Sequence, residues 1–216
     1  MYTPVDLWRS KSTIEAVLNH PVQTGKVLLY GSSFFTHWGY DRAKTQLSCA
    51  SGGKLLVLNH GFGGATIDEL LYHYPRLVVP YDPSAVVIRS SYNDIAKGMT
   101  VEETLSQLKQ LVHWLRTDFP HIPIFLLPVF DAKIMTDERH AAFAELNQQM
   151  AAFAADTDHV EIFDLNPFFY ENDAQIGDLR KLRDVFVPDG LHLTDSAYEE
   201  MAEFFAPRLL TALENT

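Results

Sequence analysis

The sequence predicts an α/β protein, a three-layer α/β/α sandwich around a five-stranded parallel sheet. Two patterns lead there. Five short runs rich in Val, Ile and Leu, at residues 26–30, 55–59, 85–89, 122–129 and 159–165, are continuously apolar, as strands covered on both faces are. The longer stretches between them carry helical spacing and helix-start signals. Strands that alternate with helices pack as a parallel sheet with right-handed crossovers.

In chain order, Ser12 stands three residues before Glu15, the spacing of a capping box, and predicts a first helix. The run 26–30 leads into Gly31-Ser32-Ser33-Phe34-Phe35. The run 55–59 leads into Asn59-His60-Gly61-Phe62-Gly63-Gly64-Ala65-Thr66, where Thr66 and Glu69 form a second box. The run 85–89 leads into Ser91-Tyr92-Asn93-Asp94. Thr100 and Glu103 then open a helix in which Leu105, Leu108, Val112 and Leu115 share a face. After 122–129, Phe143, Leu146, Met150 and Phe153 mark another helix. A long connection over 167–187 follows the fifth strand and reaches Asp189-Gly190-Leu191-His192, and Thr194 caps a last helix running to about Leu210. No repeat, low-complexity tract or Gly/Ser linker interrupts this order, so residues 1–216 read as one domain.

Composition narrows the function classes. The chain has 216 residues, 47% hydrophobic and 21% charged, enough for a core without disulfide or metal support. Its single cysteine, Cys49, cannot form an intramolecular disulfide. The first residues lack a basic stretch followed by an apolar run, and no window approaches the ~20 apolar residues of a membrane span. The expectation is a soluble, cytoplasmic protein. A formal net charge of −11 argues against nucleic acid as a partner.

Ligands of such sheets bind outside the carboxyl ends of the strands, so the residues just after each strand carry the chemical reading. Singly, each has a plainer meaning. Gly-Ser is a turn, a Gly-rich strand–helix junction holds phosphate or simply turns, Asn93-Asp94 is an Asx-turn or cap, and Asp189-Gly190 is a turn dipeptide. Their joint order is more specific. A serine after strand one, glycines after strand two, an asparagine after strand three and Asp-x-x-His before the last helix resemble the four blocks of the SGNH, or GDSL-like, hydrolase family, from about residue 26 to about residue 210.

That resemblance implies a flavodoxin-like sheet and a serine ester hydrolase acting on a small acyl ester, without cofactor. The remaining histidines show no His-Glu-x-x-His or similar spacing, so no metal site is expected. Carried over residue by residue, it implies Ser33 as nucleophile, His192 as base and Asp189 as its acid partner. Ser33, Gly64 and Asn93 would form the oxyanion hole. The sequence departs from the family pattern at Ser32, where the namesake Gly-Asp-Ser has Asp, and at Ser91, where block three has Gly. The first departure makes the choice between Ser32 and Ser33 depend on register. The second either narrows the pocket or alters the loop; together with aromatic neighbours such as Phe62 and Tyr92 and the absence of an extended apolar lid sequence, it suggests short acyl groups such as acetyl.

The chemistry supports the assignment on its own terms. A serine hydroxyl needs a base within hydrogen-bond reach, and imidazole can take its proton near neutral pH and return it to the leaving alcohol. A carboxylate on the other ring nitrogen stabilises the imidazolium. His60, Phe62 and Tyr92 flank matched positions and either line the pocket or pack. Phe168, Phe169 and Tyr170 either wall the substrate or anchor their loop. Asp94 is expected to order its loop. The rival reading is a doubly wound module holding a nucleotide or flavin phosphate on the Ser/Gly turns. It lacks the Gly-x-Gly-x-x-Gly and Walker fingerprints and gives Asp189-x-x-His192 no purpose.

Overall fold

Strand pairing in the computed structural model, which describes residues 10–171 and 177–215, builds one sheet. Its strands are β1 (Val27–Gly31), β2 (Val57–Gly61), β3 (Ala85–Arg89), β4 (Ile124–Leu126) and β5 (Val160–Ile162), in the order β2-β1-β3-β4-β5. Every pairing is parallel, so the expected five-stranded parallel sheet is present with flavodoxin-like strand order. β4 and β5 are shorter than their apolar runs. Pro128 has no N–H to offer a ladder, and the next residue, Val129, exchanges both of its backbone groups with the Asn147 side chain at 2.8 Å.

Strand alternation splits the core in two. Leu29, Val57, Val87, Phe125 and Phe163 point to one face, and Leu28, Tyr30, Leu58, Ile88 and Leu126 to the other. The helices are α1 (Lys11–Leu18), α2 (Ser33–Trp38), α3 (Tyr40–Ala50), α4 (Ile67–Leu77), α5 (Tyr92–Ala96), α6 (Val101–Asp118), α7 (Asp137–Ala155), α8 (Asn166–Phe169) and α9 (Asp195–Glu214). Helices α2, α3 and α9 cover the first face, and α1, α4, α6 and α7 cover the second.

The boxes at Thr66–Glu69 and Thr100–Glu103 form as the sequence predicts, and Thr194 accepts the N–H of Ala197 at the start of α9. The one at Ser12–Glu15 does not. Helix α1 begins at Lys11, leaving Ser12 inside it, and the preceding Ser10 spends its hydroxyl on the Gly63 carbonyl at 3.3 Å. The aromatic residues of the 167–187 connection resolve as anchors. Phe168, Phe169 and Tyr170 are buried, and Phe169 stacks between Phe130 and Phe186 at 4.1 and 5.9 Å. Residues 172–176 of that connection lie outside the described residues. Among the described residues no helix is long and apolar enough to cross a membrane.

Candidate active site

The strand order reverses between β1 and β3, and the turns leaving these two strands are the ones that carry Ser33 and Asn93. Gly31 lets them meet. A Cβ there would stand 2.0 Å from the Arg89 carbonyl oxygen, so any side chain would force the strands apart. That same carbonyl accepts the N–H of Ser32 at 3.0 Å, and the chain then turns directly into α2. Ser33 is the first residue of α2, where a backbone N–H has no intrahelical acceptor. Ser32 is buried behind the turn while Ser33 is partly exposed.

His192 Nε2 lies 2.9 Å from Ser33 Oγ, and His192 Nδ1 lies 2.6 Å from Asp189 Oδ2. Ser33 thus joins one hydrogen-bonded series with His192, 159 residues further along the chain, and its near neighbour Asp189. The local sequence explains its shape. Asp189 Oδ1 accepts the N–H groups of Leu191 and His192 at 2.8 and 2.9 Å, an Asx-type turn that aims Oδ2 at the ring. Partial burial pushes the Asp189 carboxyl up, but the His192 ring and these two N–H groups outweigh it and bring the pKa down to about 2. A carboxylate facing Nδ1 fixes the proton there and leaves Nε2 as acceptor toward the serine. The His37 ring packs against His192 with centroids 4.2 Å apart.

The glycine-rich turn after β2 and the turn after β3 are tied together. Asn93 Nδ2 donates to the Ala65 carbonyl at 2.9 Å, Lys97 Nζ to the Gly64 carbonyl at 3.3 Å, and Asp94 Oδ1 accepts the Ile67 N–H at 2.8 Å. Gly64 has φ +69, a conformation other residues adopt with strain. Ser91 has φ +83, so it sits where the family pattern has Gly. Its side chain is buried and outside the cleft lining, so of the two expected effects it does not narrow the pocket. Asn93, Asp94 and Tyr92 belong to the short helix α5 instead of a loop.

Asp94 has no solvent exposure, and its Oδ2 has no partner among the described residues. Burial pushes its pKa up to about 7, with the Ile67 N–H pulling the other way. A carboxyl whose pKa is higher folded than unfolded stabilises fully below about pH 4, and that contribution is lost as pH rises through about 7. Asp94→Asn should remove the dependence. Relative to the parent, its unfolding free energy is expected to improve by about 2–3 kcal/mol between pH 5 and pH 8, as read by denaturant titration at both pH values. A constant difference would show that Asp94 is charged in the folded state throughout.

Beside Ser33 lies a narrow cleft of about 20 Å³, roughly the room for one ordered water. Tyr92 lines it, as do Ser33, Asn93 and His192. His60 and Phe62 do not. Alternation along β2 sends both to the opposite face. There His60 Nδ1 meets the Leu77 carbonyl at 2.7 Å and Phe62 packs on Tyr30 and His73. Burial lowers the His60 pKa to about 4, so the ring is a neutral core imidazole.

Five further residues line the cleft that no motif marks as such: Phe34, Arg89, Phe130, Leu191 and Tyr198. The available signal was Arg89, a lone cation closing an otherwise apolar strand. Its guanidinium lies 4.5 Å from the Phe130 ring centroid, and burial lowers its pKa to about 10, with Tyr198 and Tyr92 opposing.

Residues 29–200 match the model of the GDSL-like Lipase/Acylhydrolase family. No curated protein matches the chain. Among solved structures, the chain is similar to a Bacteroides fragilis protein assigned as an acylhydrolase (19% identity, TM-score 0.71, covering 98% of this chain and 99% of that one). It is similar to a GDSL-like lipase from Bacteroides thetaiotaomicron (17%, TM-score 0.69, 95% and 97%). It is also similar to a psychrotrophic esterase from a Pseudoalteromonas species, in a structure inhibited by monoethylphosphonate (16%, TM-score 0.65, 88% and 97%). At these identities the likeness is one of fold.

Proposed function

The chain belongs to the GDSL-like lipase/acylhydrolase family, and from that premise we propose that it is a serine hydrolase of small carboxylic esters, with Ser33 as nucleophile, His192 as base and Asp189 as its partner. The observation that carries the reading is the unbroken series Asp189 Oδ2, His192 Nδ1, His192 Nε2 and Ser33 Oγ at 2.6 and 2.9 Å. Ser33 Oγ attacks the ester carbonyl carbon while its proton passes to His192 Nε2. The tetrahedral intermediate collapses to an acyl-serine as the same proton moves to the departing alcohol. Water then repeats the sequence, releasing the carboxylic acid and restoring Ser33.

Negative charge on the former carbonyl oxygen needs donors, and the N–H groups of Ser33 and Gly64 with the Asn93 amide are proposed to supply them, each worth about 3 kcal/mol. One Asn93 N–H is held by Ala65, which leaves the second for the oxyanion. Asn93→Ala should therefore lower kcat and kcat/KM together by about 10²–10³, with little change in KM. Steady-state kinetics checks this, and a change confined to KM would remove Asn93 from the oxyanion hole. The phosphate-binding alternative is not favoured, because it leaves the Ser33–His192 contact without a role.

The narrow cleft supports short acyl groups. Hydrolysis of p-nitrophenyl esters from acetyl to decanoyl tests function and size together, with fluorophosphonate labelling as control. Specificity should fall beyond the shortest acyl chains. A long groove would instead add about 0.8 kcal/mol for each methylene buried, and a steady rise toward decanoyl would contradict the small-ester reading. We assign the protein to the reducing cytoplasm, where a lone exposed thiol at Cys49 needs no partner.

A further inference from the structure

We infer that Arg89 is a specificity-determining residue that receives a carboxylate on the acyl part of the substrate, so that the preferred substrates are hemiesters of short dicarboxylic acids. The inference rests on the esterase reading above and deepens it.

Arg89 is 2% exposed yet lines the catalytic cleft. Of its five N–H donors, the described residues satisfy one, through Nη1 to the Ser90 carbonyl at 2.9 Å, and the buried Nε has no partner. No carboxylate among the described residues pairs with it. Its neighbours are aromatic: Phe130 beneath the guanidinium, with Tyr92 and Tyr198 nearby. An unpaired buried cation is costly, and a packed apolar side chain of similar volume would fill this space with less penalty. A planar fork with free donors at the wall of a cleft fits a carboxylate, which it can bind through two parallel hydrogen bonds.

The position selects the acyl side. Arg89 ends β3, and its own carbonyl holds the Ser32 N–H at 3.0 Å, so its side chain departs from backbone adjoining the nucleophile turn. His192 must hand a proton to the leaving alcohol. Its side chain and that of Asp189 are 22% and 48% exposed, so the alcohol departs on the solvent side. The acyl group, still bonded to Ser33, is left toward the buried wall formed by Phe34, Phe130 and Arg89. Long-range attraction does not supply this preference, because a chain of net charge −11 repels anions as a whole.

The test compares ethyl hydrogen succinate with ethyl butyrate, two esters of equal acyl carbon number, by proton release at constant pH. The wild-type protein should favour the hemiester in kcat/KM by about 10-fold or more. Arg89→Gln should bring that ratio to about one, and Arg89→Lys should restore part of it. A purely structural Arg89 would lower both rates and leave their ratio unchanged. Should Arg89→Gln not fold, the wild-type protein still decides, since succinate should slow fluorophosphonate labelling of Ser33 while uncharged succinamide does not. Hydrolysis of ethyl butyrate at an equal or higher rate than the hemiester would overturn the role of Arg89 and leave the esterase reading standing. Failure to hydrolyse either ester, with Ser33 unlabelled, would overturn both.

Discussion

Ser33→Ala is expected to lower kcat/KM for a good ester by about 10⁴-fold or more, and His192→Ala by a similar factor. The two side chains act as one unit through the 2.9 Å contact between Oγ and Nε2. Without the hydroxyl there is nothing to acylate, and without the ring nothing accepts its proton. Their effects should therefore not add: the double variant should be about as slow as either single one. Circular dichroism should be unchanged, since Ser33 is partly exposed at the very start of α2. In the wild-type protein a fluorophosphonate should label Ser33, as read by peptide mapping, and His192→Ala should slow that labelling. A label on Ser32, the buried neighbour, would overturn the register.

Asp189→Asn should cost about 10³–10⁴ in kcat, although it removes only a charge and keeps the shape. Two backbone N–H groups, from Leu191 and His192, point at Oδ1 and will keep the amide oxygen of an asparagine in that place. Its NH₂ group then faces His192 Nδ1, which must become an acceptor. The ring proton moves to Nε2, so the nitrogen facing Ser33 becomes a donor and can no longer take the hydroxyl proton. Asp189→Ala imposes no such tautomer and should be the less damaged of the two at saturating substrate. Equal kcat values for the asparagine variant and the wild type would remove Asp189 from the reaction.

The parts of this arrangement that could be read from sequence are those set by local chemistry. Continuous apolar runs gave the strands, and Thr66, Thr100 and Thr194 gave helix starts, because burial on two faces and unsatisfied first-turn N–H groups leave short-range marks. The short helices α2 and α5, of six and five residues, are too brief for a 3.6-residue period to register. His60 and Phe62 adjoin matched positions in the chain, yet the two-residue alternation of β2 puts them across the sheet from the cleft. Arg89 was hidden for another reason. A cation ending a strand ordinarily meets solvent, and here it is buried beside groups distant in the chain: Phe130 lies against its guanidinium, and Tyr198 on α9, bonded to the Phe34 carbonyl across 164 residues, lines the same cleft. The Ser33–His192 approach spans 159, and only the order of the motifs hinted at it.

The bonds from α5 and the adjoining Lys97 to the segment after β2 also bear on how this region breathes. Two side chains and one buried carboxyl join the segments, so neither can open without releasing the other, and they form one cooperative unit in local unfolding. The Ile67 amide, whose acceptor is Asp94 and lies 27 residues along the chain, is therefore a hydrogen-exchange reporter for the Asn93 segment: its proton exchanges with solvent only when both halves of the unit come apart together.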